Sequence, residues 1–112
     1  MVTPISRDEL VELIAVGEDI TIVEALGPMY YEDAHLPGAL NLPHDRVDEL
    51  ADELLPNKAA RIVVYCSNTP CQNSVVASRR LVQLGYTNVL EYVEGKQDWI
   101  EAGLPVERGV AA

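Results

Sequence analysis

Cysteine is scarce in this chain: its 112 residues include two, Cys66 and Cys71, with four residues between them. One short bridge makes no disulfide framework, so the pair reads as intracellular thiols rather than as staples. The lone His35 and His44 add no second ligand pair at a usable spacing, which argues against zinc and leaves no metal site to expect. No run approaches the roughly 20 uninterrupted apolar residues that a membrane helix needs. Met1 to Leu10 also lacks a basic region followed by an apolar one, and a cytoplasmic protein is expected on these grounds. Positive charge is scarce as well. Eight Lys and Arg stand against eighteen Asp and Glu, a net charge of −10. That balance argues against nucleic acid and against an anionic membrane as partner, because both are held through cations.

Acids are themselves missing from one stretch. Thirteen lie between Asp8 and Glu53 and five between Glu91 and Glu107, so none falls from Arg61 to Leu90, where Arg61, Arg79 and Arg80 occur. The gap predicts either a cationic island suited to an anionic substrate or a thiolate, or no more than an acid-poor buried strand.

What is present is enough for one core. A hydrophobic content of 48% in a chain of this length supports a single domain, expected over residues 1–107, with a patternless and disordered tail over 108–112. Ser6 and Glu9 form a capping box that starts a helix, with Ile5 and Leu10 as a possible staple and Gly17 as its stop. Ile20 to Leu26 reads as a strand ended by Gly27-Pro28, a short helical segment follows around Tyr30 to Ala34, and Ala39 to Leu42 is a short strand after the Pro37-Gly38 turn. Arg46 to Leu55 has helical spacing. Arg61 to Cys66 is a β-branched run without alternation, as in a central strand covered on both faces. Ser67 to Gln72 is a loop, Asn73 to Leu84 a helix, Val89 to Val93 the last strand and Lys96 to Ala102 the last helix. Strands alternating with helices at this spacing predict an α/β fold, a mainly parallel central sheet of about five strands with helices on both faces.

In such a sheet the reactive site lies outside the carboxyl ends of the strands, and Cys66 stands where the central strand passes into a loop and then a helix. Loop amides and the positive end of the helix near Asn73 would favour a negative sulfur, a setting that can lower a cysteine pKa. A cysteine closing an apolar strand is also often a small buried hydrophobe. Cys71 reads as a spectator, a resolving thiol or a second sulfur acceptor.

Four segments together resemble the rhodanese (sulfurtransferase) family. Thr21-Ile22-Val23-Glu24 followed by Tyr31 to Ala39 is similar to its acid-ended strand and "GHIPGA" segment, and Ile62 to Cys66 to the strand that delivers its active-site cysteine. Leu84 to Val89 is similar to its "LGYxNV" connection and Glu94 to Trp99 to its "GGxxxW". The resemblance implies that Cys66 is a nucleophile that takes sulfane sulfur from thiosulfate, polysulfide or a protein persulfide and passes it to a thiol or cyanide, without a cofactor. It implies a persulfide cradle of Ser67, Asn68, Thr69, Pro70, Gln72 and Asn73, with Cys71 as a possible resolving or second thiol. Structural support falls to Glu24, as an anchor for backbone donors, and to His35, in a turn. Partners would be a small sulfur donor or a protein thiol or persulfide, in an oligomeric state left open.

The sequence departs from the family pattern in three places. Glu24-Ala25-Leu26 stands where Asp-Val-Arg is usual, the loop after Cys66 is longer than the short form, and Cys71 occupies a position often held by arginine. Arginine is the natural bidentate partner of an oxyanion, so its absence weighs against thiosulfate and against a phosphatase. Arg79 and Arg80 share the polar helix face with Gln83 and are expected to meet solvent. Two readings follow: a sulfurtransferase, or a catalytically weak rhodanese-like module for protein binding or thiol redox. A lowered Cys66 pKa favours the first, an ordinary one the second.

Overall fold

A computed structural model describes residues 1–110, and in it five strands form one sheet in the order β1-β5-β4-β2-β3, every neighbouring pair parallel. The strands are β1 (Val2–Ile5), β2 (Ile20–Glu24), β3 (Leu40–Asn41), β4 (Arg61–Tyr65) and β5 (Val89–Tyr92). The helices are α1 (Arg7–Ala15), α2 (Pro28–Asp33), α3 (Val47–Leu54), α4 (Asn73–Gln83) and α5 (Gly95–Glu101). The α/β architecture and the central place of β4 agree with the sequence expectation. β1 does not appear there, because Val2-Thr3-Pro4-Ile5 is short and contains proline. Pro4 is tolerated because β1 is an edge strand.

Local chemistry explains where the helices begin. Ser6 Oγ accepts the Glu9 N–H at 3.1 Å and Glu9 Oε1 accepts the Ser6 N–H at 3.0 Å, closing the capping box of α1. Ile5 and Leu10, on either side of this cap, are buried in the same cluster. α2 starts at Pro28 in its first position, so this proline begins a helix as well as ending the approach from β2. The Tyr86 hydroxyl lies 3.1 Å from the Ala51 carbonyl and also reaches that of Leu55, which ties the segment after α4 to the end of α3.

Side chains of β4 alternate between two cores. Ile62 and Val64 join Ala51 of α3 and Leu81 of α4, whereas Val63 and Tyr65 join Leu10 of α1, Tyr31 of α2 and Trp99 of α5. Period-two alternation then sends Cys66, the next residue, toward α4. Of the tail expected over 108–112, Arg108 donates to the Asp33 carbonyl and the Gly109 N–H donates to that of Glu32 at 2.7 Å. Ala111 and Ala112 lie outside the described residues.

Because the two cores lie on opposite faces of the sheet, Leu10→Ala and Leu81→Ala should each cost about 2–5 kcal/mol. In the double variant the costs should add to within about 0.5 kcal/mol. Urea unfolding of the four proteins measures both.

Candidate active site

Cys66 follows the last residue of β4 and is 1% exposed. Its Sγ lies 3.2 Å from Ser74 Oγ and 3.5 Å from the Cys71 carbonyl oxygen, and it accepts the Ser74 backbone N–H at 3.4 Å. That amide is available because Ser74 lies in the first turn of α4, where backbone donors have no partner within the helix. Ser74 Oγ in turn stands 2.6 Å from Glu91 Oε2 of β5. Around this centre Ser67 and Asn68 are half-buried, Thr69, Pro70 and Gln72 are exposed, and Asn73 opens α4. The Cys71 N–H donates to the Asn68 carbonyl at 3.1 Å, which makes the turn within the loop.

The start of α5 clamps the loop from behind. The Lys96 N–H donates to the Cys66 carbonyl at 2.9 Å and the Gln97 N–H to the Ser67 carbonyl at 2.8 Å. Gly95 makes this approach possible, having φ +73° and a position at which a Cβ would lie 2.6 Å from the Cys66 carbonyl oxygen.

Under the loop lies a polar group sealed in the core. Glu24 is fully buried, and its Oε1 accepts the Tyr65 hydroxyl at 2.7 Å and sits 3.1 Å from Lys96 Nζ. Lys96 Nζ also donates to the carbonyls of Tyr30 at 2.8 Å and Ala34 at 2.6 Å, and Tyr65 Oη accepts the Leu36 N–H at 3.1 Å. Burial pushes the Glu24 carboxyl up, against the pull of Tyr65 and Lys96. The expectation that Glu24 anchors backbone donors is corrected in part: its carboxylate holds two side chains, and those reach the backbone. His35 stacks on Tyr31 with ring centroids 3.8 Å apart, and its Nδ1 lies 2.7 Å from the Tyr31 carbonyl. It belongs to the turn and to the core on the other side of the sheet from the Cys66 thiol.

Folding decides two electrostatic alternatives that the sequence left open. Burial pushes the Cys66 thiol up to about 11, and contact with Cys71 adds to this while the Ser74 N–H opposes it. At Cys71 burial also acts upward, but contact with the Cys66 side chain and hydrogen bonds with Ser67 and Asn73 outweigh it and the pKa is lowered. Cys71, half-exposed, is thus the more acidic thiol. The cationic island is dispersed by folding. Arg61 opens β4 at the end away from Cys66, Arg80 is held by Asp48 at 2.6 and 2.7 Å, and Arg79 lies on a groove beside β1. Against the loop there is instead a depression of about 350 Å³ that Asn68 and Thr69 share with Glu94, Asp98 and Glu101.

The family model described as the rhodanese-like domain matches residues 6–102, nearly the whole chain. The chain belongs to the rhodanese-like domain family. It is 36% identical over 106 residues to the HTH-type transcriptional regulator Rv0324 of Mycobacterium tuberculosis, covering 94% of this chain and only 45% of that regulator, about half its length. It is 30% identical to a sulfurtransferase of Allochromatium vinosum over 95% of both chains. Among solved structures, the BH2092 protein of Bacillus halodurans superposes with a TM-score of 0.87 at 26% identity, covering 95% of this chain and 77% of that one. Membership of a family with sulfurtransferase relatives supports sulfur transfer in general.

Within this rhodanese-like frame, sequence reasoning missed Ser74, Glu91 and Lys96. Glu91 carried a readable signal, since it interrupts the apolar strand Val89-Leu90-Glu91-Tyr92, and a carboxylate in such a strand requires a partner. Ser74 gave only its place in the first helical turn. Lys96 gave none, because surface and buried lysines look alike in sequence.

Gly95→Ala should destabilise the domain by about 1–3 kcal/mol, the cost of a strained left-handed residue, and should raise the protease sensitivity of the Cys66 loop. Denaturant melts and limited proteolysis check this. In an NMR titration of isotope-labelled cysteine, Cys71 should ionise first, below its ordinary value of 9.0, and Cys66 at about 11. The reverse order would refute the burial argument.

Proposed function

We propose that this domain moves sulfane sulfur through a persulfide on Cys66 and that Cys71 resolves it. Acidity of Cys66 alone would favour the weak module, since burial raises its pKa; what carries the transferase reading is the pairing of this buried thiol with a more acidic, half-exposed Cys71 in the loop after the central strand. Cys66 attacks the outer sulfur of a donor and becomes Cys66–S–SH, while the remainder of the donor leaves as a thiolate or thiol. A protein or small-molecule thiol, or cyanide, can then take the outer sulfur. Alternatively, the Cys71 thiolate attacks the inner sulfur, which forms the Cys66–Cys71 disulfide and releases hydrosulfide. Covalent transfer of this kind needs no cofactor.

Charge selects among donors. The loop from Cys66 to Gln72 has no arginine or lysine, Lys96 is neutralised by Glu24, and the adjoining depression carries Glu94 and Glu101. A dianion such as thiosulfate meets no bidentate partner there and several like charges. A persulfide, polysulfide or protein-bound sulfur fits better. The reading places the domain in a reducing compartment, where both thiols stay free.

Intact-mass measurement after exposure to polysulfide and, separately, to thiosulfate tests the proposal. Polysulfide should add one sulfur to the parent protein and none to Cys66→Ser, and Cys71→Ser should retain the adduct while the parent proceeds to the disulfide. Thiosulfate should load at least about tenfold more slowly, the least cost expected for one lost charge-assisted contact. Equal loading of Cys66→Ser and parent would dismiss the mechanism.

A further inference from the structure

We infer that Ser74 and Glu91 are positioning residues that form a proton path from the Cys66 thiol to the groove between β1 and α4. The inference rests on Cys66 being the sulfur nucleophile. Ser74 has one hydroxyl hydrogen, and Glu91 Oε2, 2.6 Å away, belongs to a carboxylate that can only accept. The hydrogen therefore points to Glu91, and Ser74 Oγ turns a lone pair to Cys66 Sγ at 3.2 Å. The chain has one direction: Cys66 S–H donates to Ser74, and Ser74 O–H donates to Glu91.

A bare Cys66 thiolate contradicts that arrangement, because sulfur and carboxylate would compete for one hydrogen. The conflict disappears when both protons shift together, leaving Glu91 protonated and donating to Ser74, which then donates to sulfur. With a small persulfide RSSH as donor, the Cys66 sulfur bonds to the outer sulfur and the donor S–S bond breaks. RS⁻ leaves, and the thiol proton passes through Ser74 to Glu91. The products are Cys66–S–SH, protonated Glu91 and RS⁻, so atoms and charge balance without an oxidant.

The position of Glu91 suits this role. Ser74 is 1% exposed, whereas Glu91 is half-buried and lines a groove of about 630 Å³ with Val2, Pro4, Val75 and Arg79. Protons leave through the side of the sheet, apart from the loop where the donor enters. Cys71 is the other acceptor within reach, but a proton delivered there would quench the thiolate that resolves the persulfide. Glu91 keeps the two tasks separate.

The test follows the pH profile and solvent deuterium isotope effect of two reactions: sulfur uptake from a small alkyl persulfide, and iodoacetamide alkylation of Cys66 read by peptide mapping. In the parent both rates should be nearly flat around neutral pH, with a normal isotope effect, because the base is built in. In Glu91→Gln the rates should climb about tenfold per pH unit with thiolate formation, and the isotope effect should fall to near unity. Ser74→Ala should lose about 10²-fold at neutral pH, Ser74→Thr should recover most of it, and the double variant should be no slower than Ser74→Ala. Parallel profiles for Glu91→Gln and parent, or multiplying effects of the two substitutions, would overturn the path. Alkylation needs no sulfur donor, so a parent that takes no sulfur but still shows the flat-to-steep change would sink the transferase reading and leave the path standing.

Discussion

The arrangement depends on Lys96, which joins three parts of the molecule that have no covalent proximity. Its backbone N–H holds the carbonyl of Cys66, its ammonium faces the fully buried Glu24, and the same ammonium binds two carbonyls at the end of α2. An ion pair in the core adds little net stability, since each charge is costly to remove from water. Its effect is on position. A buried carboxylate without its ammonium would be worse than either water or an apolar residue, so α5 has one docking position against β2 and β4. The Cys66 loop inherits that position through Gly95.

From this constraint follows the division of labour across the sheet. One face carries the Glu24, Tyr65 and Lys96 group together with the stacked Tyr31 and His35. The other face receives the Cys66 thiol, the first turn of α4 and Glu91. A single residue step from Tyr65 to Cys66 crosses between them, because side chains of a strand alternate. His35 and Glu24 thereby lie on the opposite side of the sheet from the Cys66 thiol.

Burial changes the chemistry expected of Cys66. An amide at a helix start favours a thiolate, but one N–H at 3.4 Å does not offset removal of the sulfur from water. The acidic thiol is Cys71, which is less buried and receives more donors. The two cysteines therefore differ in readiness although they lie five positions apart.

The elements and their order were legible in the sequence, since capping residues, β-branched runs and glycine stops act over a few positions. Ser6 with Glu9, Arg61 to Tyr65 and Gly85 each state their local structure, and the segments from Tyr31 to Ala39 and from Glu94 to Trp99 add the family. Cys66 at the mouth of the central strand was legible for the same reason. Strand β1 was not, because an edge strand with proline is made by its neighbour rather than by its own propensity. Nor were the thiol acidities, the acidic depression or the link from Ser74 to Glu91. Arg61, Arg79 and Arg80 are close in sequence and scattered in space, while Glu91, Glu94 and Lys96 come to the loop from elsewhere in the chain. Sequence by itself determined the fold class and the place of Cys66 at the end of the central strand, which depend on near neighbours. Tertiary structure decided charge, burial and hydrogen-bond partners, which depend on which distant groups the packing brings within a few ångströms.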